Sequence, residues 1–394
     1  MKFANRMNSI KPSAIREVGK KIAAKENCLS FAAGLPSSDL FPLEDLIKAT
    51  DYVIRNQGKT ALQYGPTKGH NPLLDKLVEI MKKKGVDATR EMIQITTGSQ
   101  QAISCCCMAF VDPGDVIITE NPSYLGALAA FRAYECAFAG VEADDDGMLP
   151  EDLEKVLKDN PRAKMIYIVP NFSNPTGRTW SLERRKAVYE LACKYDLPII
   201  EDNPYGDIRF EGEPVPDMIN LDTEGRVIYL GSFSKVLCPG LRVGWIYASP
   251  EVAYKFEILK QGIDLQSTQF GQMQICEYLT SCDLDSHIKI ITAAYKSKRD
   301  LMMDCVKKYL PESVKYTNPA GGMFIWFELP ENIDAYDILD KALEQNVGFV
   351  PGGPFFPETE RKNTMRLNFT TMSDENINKG MKILGSVISK AIKE

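Results

Sequence analysis

Histidine is scarce in this sequence: the 394 residues include only His70 and His287. A metal site with three histidine ligands is therefore excluded, and a serine or cysteine nucleophile would have to use one of these two side chains as its base. His70 is predicted to end a turn before a helix, and His287 is predicted to be a solvated helix residue. A catalytic site in this chain is expected to take its base from another residue type.

Targeting and membrane signals are also missing. No apolar run approaches the roughly 18 residues of a membrane span, and the N-terminal stretch MKFANRMNSIKPSAIREV lacks the apolar core of a signal peptide. The ten cysteines include no C-x-x-C pair, and three of them, Cys105 to Cys107, are consecutive in a stretch typical of a buried helix. We therefore expect buried free thiols, no metal site and a cytoplasmic protein.

Positive charge is not in excess. The chain has 47 Lys and Arg against 53 Asp and Glu, which gives a net charge of −6, and it has no basic stripe of the kind expected at a nucleic-acid interface. No G-x-G-x-x-G follows the first predicted strand, which argues against a dinucleotide-binding protein. The predicted partners are small molecules, with neither nucleic acid nor a membrane among them.

Short apolar segments alternate with amphipathic segments between residues 43 and 284. This alternation predicts an α/β fold, in which helices cover both faces of a mostly parallel sheet. After residue 284, a long charged helix and several short strands predict a smaller α+β domain. Seven segments of the first part have the composition of strands: 92–97, 116–119, 136–141, 165–169, 198–201, 227–230 and 245–248. The predicted units are an N-terminal arm that packs with the small domain (1–42), a large domain (43–284) and the small domain (285–394).

Two motifs that follow predicted strands contain groups suited to an anion. In ITTGSQQA (95–102), backbone N–H groups at a helix start could bind a phosphate, and Gly98 would let it approach closely. In GSFSKVLCPGLRVGW (231–245), Lys235 stands among hydroxyl groups and Arg242 follows a Pro-Gly turn. The first motif alone also fits an ordinary strand-to-helix turn, whereas the second is poorly suited to a solvated loop.

Two further motifs place polar side chains at strand ends. VPNFSNPTG (169–177) presents Asn174 after one strand, and LPIIEDNPYG (197–206) presents Asp202 and Tyr205 after another. Ligands of open α/β sheets bind at the edge formed by the carboxyl ends of the strands. Each of these motifs alone is also compatible with a turn or a helix cap.

Together the motifs contain every residue type that pyridoxal phosphate (PLP) requires. A lysine amine forms a Schiff base with the cofactor aldehyde, and a carboxylate pairs with its pyridinium nitrogen. Lys235 and Asp202 fit these two tasks, and Asn174 and Tyr205 could donate to the ring oxygen. The candidates for the phosphate site are Gly98, Ser99, Gln100, Ser232 and Arg242, and Tyr124, in ENPSYLG, could stack on the ring.

The order and spacing of these motifs resemble those of the fold type I PLP-dependent aminotransferases, class I/II, over essentially the whole chain. The most specific segment is S-F-S-K-x-x-x-P-G-L-R-x-G-W, and GSQQA, NPSY, NPTG and DNPY stand in family order. SAIREV, LSFAAGLPSSDLFP, LQYGPTKGH, NPAGGMFIWFELP and FVPGGPFF resemble the branch of 2-aminoadipate and kynurenine aminotransferases. The resemblance implies a large domain with a mostly parallel seven-stranded sheet and a smaller α+β domain.

The resemblance also implies roles at the reacting centre. Lys235 would bind the cofactor covalently and move the proton, and Asp202 and Tyr205 would complete the catalytic set. Arg366, in TMRLNF, would bind the substrate α-carboxylate through two hydrogen bonds, with Asn174 beside it. The alternative for Arg366 is a structural ion pair.

The same resemblance assigns three positions outside these motifs. Gly34 would lie against the substrate, and Arg16 would meet acidic substrate side chains from an N-terminal segment. Tyr64 would reach the phosphate of the partner subunit, which implies a homodimer with shared active sites. The alternatives are a solvated or packing residue at Arg16 and a core residue at Tyr64.

The function that follows from the resemblance is PLP-dependent transamination. The predicted enzyme (EC 2.6.1.-) moves an amino group from an L-amino acid, either 2-aminoadipate, aromatic or aliphatic, to a 2-oxo acid such as 2-oxoglutarate by a ping-pong mechanism. One alternative is another PLP enzyme of the same fold, such as a cysteine-S-conjugate β-lyase. A non-enzymatic PLP-binding regulator domain is disfavoured, because the sequence contains no basic DNA-binding module and retains every catalytic residue type.

Overall fold

Strands and helices alternate along most of the chain in the computed structural model, which describes residues 1–8, 10, 12 and 14–394. The strands are β1 (Leu29–Ser30), β2 (Ile93–Thr96), β3 (Val116–Asn121), β4 (Ala137–Asp144), β5 (Gly147–Met148), β6 (Ala163–Ile168), β7 (Ile199–Asp202), β8 (Val227–Ser232), β9 (Gly244–Tyr247), β10 (Lys315–Tyr316), β11 (Phe324–Glu328), β12 (Val347–Gly348), β13 (Val350–Pro351) and β14 (Thr364–Asn368). The helices are α1 (Ala14–Ala23), α2 (Leu43–Ala61), α3 (Asn71–Lys83), α4 (Ser99–Phe110), α5 (Leu125–Arg132), α6 (Pro150–Asp159), α7 (Leu182–Lys194), α8 (Pro250–Ile263), α9 (Gln269–Ser281), α10 (Leu284–Tyr309), α11 (Ala335–Glu344) and α12 (Asp374–Lys393).

The large sheet has the strand order β2-β9-β8-β7-β6-β3-β4-β5. Strands β8, β7, β6, β3 and β4 run parallel to one another, whereas β9 runs antiparallel to both β2 and β8. The predicted α/β fold is therefore confirmed, and each of the seven predicted strands is present with ends within three residues of the prediction. The eighth strand, the two-residue β5, returns antiparallel on β4 through a tight turn and is too short to give a periodic signal.

Helices cover the sheet, and its central strands β7 and β8 are buried along their whole length, as expected for parallel strands. Cys105, Cys106 and Cys107 lie in α4 and are buried against this sheet, as predicted. All ten cysteines are free, although Cys28, Cys136, Cys193, Cys238 and Cys282 are partly exposed. Side-chain caps fix several helix starts: Ser181 accepts from the Arg184 N–H at α7, and Ser373 accepts from the Asn376 N–H at α12.

A second sheet, of order β10-β11-β14-β13, is antiparallel and lies in the C-terminal part of the chain. Helices α10 and α12 pack on each other beside it. The N-terminal segment joins this part, because β1 pairs with β12 in parallel through Leu29 and Val347. This pairing is consistent with an N-terminal arm held by the C-terminal part, and the exact domain boundaries remain a prediction.

The prediction for His287 is wrong. His287 is buried near the start of α10, where a row of buried side chains four residues apart, Ile291, Tyr295 and Arg299, continues along the same helix face. Burial lowers the pKa of the imidazole below its usual value. The many charged residues of α10 indicated a solvated helix, but most of them, Arg299 excepted, lie outside this buried row. His70 does precede a helix, as predicted, at the N-cap of α3.

Candidate active site

The carboxyl ends of β2, β3, β6, β7 and β8 meet at one edge of the large sheet. A cavity of about 450 Å³ opens there. It is lined by Ile15, Arg16, Gly34, Leu35, Ser99, Gln100, Ile103, Tyr124, Val169, Asn174, Asp202, Pro204, Tyr205, Ser232, Ser234, Lys235, Pro239, Arg242 and Arg366. The structure therefore brings together nearly all predicted site residues. A groove of about 500 Å³ between α3, α9 and α10 contains none of them.

The loop between β2 and α4 forms one end of the cavity. Gly98 has a φ of +71°, and a Cβ at this position would lie 2.5 Å from Arg242 Nη2, so only glycine fits without displacement. The Ser99 hydroxyl is buried without a hydrogen-bond partner. Free N–H groups at the start of α4, this hydroxyl and the Arg242 guanidinium together form a site for an anion.

A buried polar network fixes this loop from behind. The Thr97 N–H donates to Gln101 Oε1 (2.7 Å), and the Lys260 ammonium donates to the same oxygen (2.7 Å). Lys260 is completely buried and forms an ion pair with Asp264 (2.8 Å). Because each of these groups is held by the next, the residues that precede Gly98 have little freedom to move.

Asp202 is the last residue of β7 and is 2% exposed. The Tyr167 hydroxyl donates to its Oδ2 (2.7 Å), whereas its Oδ1 is buried with no partner. Burial raises the pKa of Asp202 to about 6, although the Tyr167 hydrogen bond and the positive charge of Lys235 oppose that shift. Oδ1 is thus available to a cationic group within the cavity.

Lys235 lies in the loop after β8, and its Nζ donates to the Gly34 carbonyl (2.8 Å). Burial lowers the pKa of this amine to about 8, with smaller contributions from the positive charges of Arg366 and Arg242. Asp202 acts in the opposite direction. A substantial fraction of Lys235 is therefore neutral near physiological pH, as a nucleophile or general base requires.

Arg366 lies on β14 and is fully buried. Its Nη1 donates to Asn174 Oδ1 (3.0 Å), its Nη2 donates to the Ala32 carbonyl (2.7 Å), and its Nε has no partner. The guanidinium carbon lies 4.3 Å from the centre of the Phe324 ring. Arg366 forms no ion pair with a carboxylate among the described residues, so the alternative of a structural ion pair is not supported.

Three polar side chains surround Asp202 and Arg366 in the cavity. Tyr205 is buried with its ring edge-on to Phe324, and burial raises the pKa of its phenol. Asn174 is buried in the loop after β6, and its Oδ1 accepts a hydrogen bond from Arg366. Tyr124 caps α5, and its ring covers Gly126, where a Cβ would approach within 2.4 Å.

Ser232 and Gln100 differ in how directly they face the cavity. Ser232 is buried at the end of β8, and its hydroxyl accepts from the Ser234 N–H (3.1 Å). Gln100 is exposed, and its side-chain amide donates to the Gly126 carbonyl (2.9 Å). We therefore expect Gln100 to contribute its backbone N–H more than its side chain to an anion.

The N-terminal segment closes one side of the cavity. The Gly34 carbonyl accepts the Lys235 hydrogen bond, and a Cβ at Gly34 would contact Arg366 Nη1 at 3.8 Å. Arg16 lines the cavity from α1 and is exposed. Tyr64 is not part of this cavity: its side chain is 79% exposed, so the alternative of a core tyrosine is wrong.

The sequence reasoning missed several residues of the site. Ile15, Leu35, Ile103 and Val169 give the cavity apolar walls. Val169 ends an apolar run and is the first residue of the VPNFSNPTG motif, which was a usable signal. Ile103 and the Asp202 partner Tyr167 carry no local signal, because a buried apolar or aromatic residue is ordinary in a helix or strand of this kind.

These residues fit pyridoxal phosphate. Buried polar atoms without partners need a ligand or water, and three of them face this cavity: Ser99 Oγ, Asp202 Oδ1 and Arg366 Nε. A phosphate suits Ser99 and Arg242, a protonated pyridine nitrogen suits Asp202, and an aldehyde suits the neutral amine of Lys235. In the part of the chain that the structure describes, no group of three or more His, Cys, Asp and Glu could hold a metal ion. None of the described helices is both long and apolar enough to span a bilayer.

Comparisons with known proteins agree with this fit. The family described as Aminotransferase class I and II matches residues 26–384. The chain is 43% identical to aromatic-amino-acid aminotransferase 1 of Thermococcus litoralis (100% of this chain, 95% of the relative) and 38% identical to 2-aminoadipate transaminase of Thermus thermophilus (98% and 96%). A crystal structure of Pyrococcus horikoshii kynurenine aminotransferase in complex with PMP superposes with a TM-score of 0.95 at 40% identity, covering 100% of this chain and 98% of that one.

The family match spans most of the chain, and the relatives are similar over nearly their full lengths. The predicted recognition, the predicted fold and the predicted cofactor are confirmed, and the cofactor is pyridoxal 5′-phosphate. The substrates of this family are amino acids and oxo acids. With the geometry of its strand-end cavity, the chain belongs to the class I and II aminotransferases and is a PLP-dependent transaminase.

Proposed function

We propose that this transaminase moves the amino group of 2-aminoadipate and of aromatic or aliphatic L-amino acids to a 2-oxo acid such as 2-oxoglutarate, in a ping-pong cycle. The observation that carries the proposal is one cavity that holds a nucleophilic lysine, Lys235, and a fully buried arginine, Arg366. The lysine would carry out the proton transfer that all amino acid substrates require, and the arginine would bind the α-carboxylate that they share.

Six side chains and the backbone of the Gly98 loop would hold the cofactor around Lys235. The phosphate would lie at the Gly98 loop, with N–H groups of Ser99 and Gln100, the Ser232 hydroxyl and the Arg242 guanidinium. Asp202 would pair with the ring nitrogen, Asn174 and Tyr205 would donate to the ring oxygen, and Tyr124 would stack on the ring. When bound, PLP supplies an aldehyde that takes up the amino group and a ring that accepts electron density.

Lys235 would act as the general base. The pKa of its amine, about 8, suits proton transfer from carbon near neutral pH. The Lys235 Nζ would remove the proton from the substrate α-carbon. The protonated amine would then donate it to the carbon that carries the aldehyde in free PLP. Tyr205, which lines the same cavity as Asn174 and Lys235, would assist as the third catalytic group with Asp202.

Arg366 would orient the substrate. Its unpartnered Nε and the outer edge of its guanidinium can bind a carboxylate through two parallel hydrogen bonds. Asn174 and the Ala32 carbonyl already fix the plane of the guanidinium. Gly34 leaves the space beside this plane open to the substrate, because it has no side chain.

The donor range follows from the walls of the cavity. Ile15, Leu35 and Ile103 suit an apolar or aromatic side chain, whereas Arg16 suits a distal carboxylate. Relatives named for aromatic amino acids and for 2-aminoadipate support both classes of donor. A single cavity with apolar walls and one exposed arginine would accept both.

We also propose a homodimer with shared active sites. Tyr64 lies outside its own cavity and is exposed, and several apolar residues of the preceding helix α2 and its end are exposed as well: Leu43, Ile47, Ile54 and Leu62. An apolar surface of this kind is typical of a protein interface. In the dimer, the Tyr64 hydroxyl of one protomer would reach the phosphate site of its partner. Sedimentation should give a dimer, and Tyr64→Phe should weaken cofactor binding while leaving the dimer intact.

Two half-reactions test the transamination cycle. The holoenzyme mixed with 2-aminoadipate or phenylalanine, without an acceptor, should convert its cofactor to the amine form and release one equivalent of the matching 2-oxo acid. Added 2-oxoglutarate should then restore the original absorbance. Release of ammonia and a β-eliminated group would instead identify a lyase, and near wild-type turnover by Lys235→Ala would contradict the role of Lys235.

A further inference from the structure

Tyr167 touches the site without lining the cavity. It is the second-to-last residue of β6 and is completely buried, and its hydroxyl donates to Asp202 Oδ2 (2.7 Å). No other described side chain forms a hydrogen bond with this carboxylate in the structure, and its second oxygen, Oδ1, has no partner. The phenol therefore determines which of the two oxygens remains available to a ligand.

The register of the sheet explains why these two residues meet. Tyr167 on β6 pairs with Ile200 on β7, so Asp202 lies two residues further along the neighbouring strand and on the same face. Diagonal neighbours at this spacing are within reach of a long aromatic side chain. The Phe131 ring packs edge-on against Tyr167, with centroids 5.4 Å apart, and restricts the phenol from its other side.

Packing alone does not explain why this position holds a tyrosine, because burying its hydroxyl costs free energy. A phenol in a buried strand needs a hydrogen-bond partner, whereas phenylalanine would fill almost the same volume without that need. Here the partner is the Asp202 carboxylate. An ionised carboxylate can only accept, so the proton of this hydrogen bond comes from the phenol. Burial strongly raises the pKa of Tyr167, which keeps the phenol protonated as a donor.

We propose that Tyr167 is a positioning residue for Asp202: it fixes the carboxylate so that Oδ1 faces the ring nitrogen of the cofactor, and it keeps that carboxylate ionised. The inference rests on the proposed role of Asp202 toward the cofactor. Tyr167 itself contacts neither the cavity nor a substrate, so its effect passes through Asp202 alone. Charge-assisted hydrogen bonds of this type are among the stronger ones in proteins.

The ionisation of Asp202 depends on every group that faces it. Lys235 favours the carboxylate through its positive charge, whereas the buried residues Tyr124, Tyr205 and Cys106 offer no compensating cation. Without the Tyr167 hydroxyl, Lys235 is the only remaining group among the described residues that favours the charged form, and the pKa of Asp202 moves further upward. A neutral Asp202 binds a protonated ring nitrogen poorly. As the pH is lowered, cofactor affinity should therefore begin to fall at a higher pH in the variant than in the wild type.

The test is Tyr167→Phe with Tyr229→Phe as the matched control. Tyr229 is also a fully buried strand tyrosine, but it pairs with Glu201 in register and so lies on the opposite face of the sheet. The dissociation constant of PLP is measured on the apoenzymes from pH 5 to pH 9 in about unit steps. Tyr167→Phe should weaken PLP binding about 10-fold at neutral pH. It should also move the loss of affinity on acidification to a higher pH, whereas Tyr229→Phe should do neither.

Kinetics and a double-mutant cycle separate positioning from a merely structural role. At saturating cofactor, Tyr167→Phe should lower kcat several-fold and leave KM for the amino donor nearly unchanged. In an Asp202→Asn background, Tyr167→Phe should add little, because the two residues act through one interaction. Additive losses, or an unchanged pH profile in Tyr167→Phe, would overturn the inference. If Asp202→Asn itself leaves PLP affinity unchanged, the proposed role of Asp202 fails first.

Discussion

Arg366 and Arg16 line the same cavity, but the protein holds them in opposite ways. Arg366 is fully buried and donates to Asn174 and to the Ala32 carbonyl. Arg16 is exposed on α1, with no hydrogen bond or ion pair to the described residues. The first can hardly move without leaving buried groups unpaired, whereas the second can change conformation freely. A fixed arginine suits the part that all substrates share, and a free one suits the part that differs among them.

The whole cavity shows the same division. On the sheet side, Gly98, Asp202 and Arg366 occupy positions set by strands, and each is held by neighbouring buried groups. On the N-terminal side, the residues that line the cavity include the exposed Arg16 of α1 and the exposed Leu35. Substitutions on the sheet side should therefore affect every substrate or the cofactor, and substitutions on the N-terminal side should affect a subset of substrates.

The largest effect is expected from Arg366→Met. Removing one partner of a buried, two-bond carboxylate contact costs about 2–5 kcal/mol, so kcat/KM should fall by at least about 30-fold for all amino donors alike. The measurement is kcat/KM for an acidic, an aromatic and an aliphatic donor, with PLP affinity as the control for folding. A loss confined to acidic donors would break the comparison, because Arg366 would then act on the side chain.

The next effect concerns pH and Lys235. Burial lowers the pKa of its amine to about 8, so the neutral form that attacks an aldehyde increases as pH rises and levels off above that value. The rate of covalent PLP incorporation into the apoenzyme should rise about 50-fold from pH 6 to pH 8. Absorbance of the bound cofactor follows the reaction. A rate that keeps rising tenfold per pH unit beyond pH 9 would mean that the lysine is not perturbed.

A smaller effect is expected from Gly98→Ala, which tests the sheet side at the cofactor. The positive φ and the 2.5 Å approach to Arg242 both disfavour a Cβ. PLP should bind about 10-fold more weakly, since strain of this type costs on the order of 1–3 kcal/mol. Gly240→Ala is the matched control, because a Cβ there has open space and its φ is not positive. Equal PLP affinities in the two variants would contradict an anion site at this loop.

The smallest and most selective effect is expected from Arg16→Ala. An exposed charge pair contributes about 0.2–1 kcal/mol, and more when a substrate excludes water from it, so 2-aminoadipate and glutamate should lose between a few-fold and about 10-fold in kcat/KM. Phenylalanine and leucine should change little. The measurement is a donor panel with 2-oxoglutarate on wild type and variant, with the nearby exposed Lys20→Ala as control. An equal loss for all donors would contradict this role, because Arg16 would then act on a part that all substrates share, as the sheet-side residues do.

Much of this arrangement was predictable because parallel strands impose it. Asn174, Asp202 and Lys235 follow different strands, and their proximity follows from the common edge at which those strands end. Tyr167 was not predictable, because its contact with Asp202 depends on the register between β6 and β7, which no local pattern specifies. His287 was misassigned for a similar reason: the sequence shows that α10 has a charged face but not which residues pack against its neighbours.

The distribution of charge around the cavity has a consequence for rates of encounter. Arg16, Lys235, Arg242 and Arg366 surround a space whose single lining carboxylate is Asp202, in a chain with a net charge of −6. At physiological salt, charges more than about 8 Å apart are largely screened, so an approaching anion responds to these nearby cations more than to the total charge. Phosphorylated and dicarboxylic molecules should enter faster than neutral ones, and the advantage should shrink as ionic strength rises.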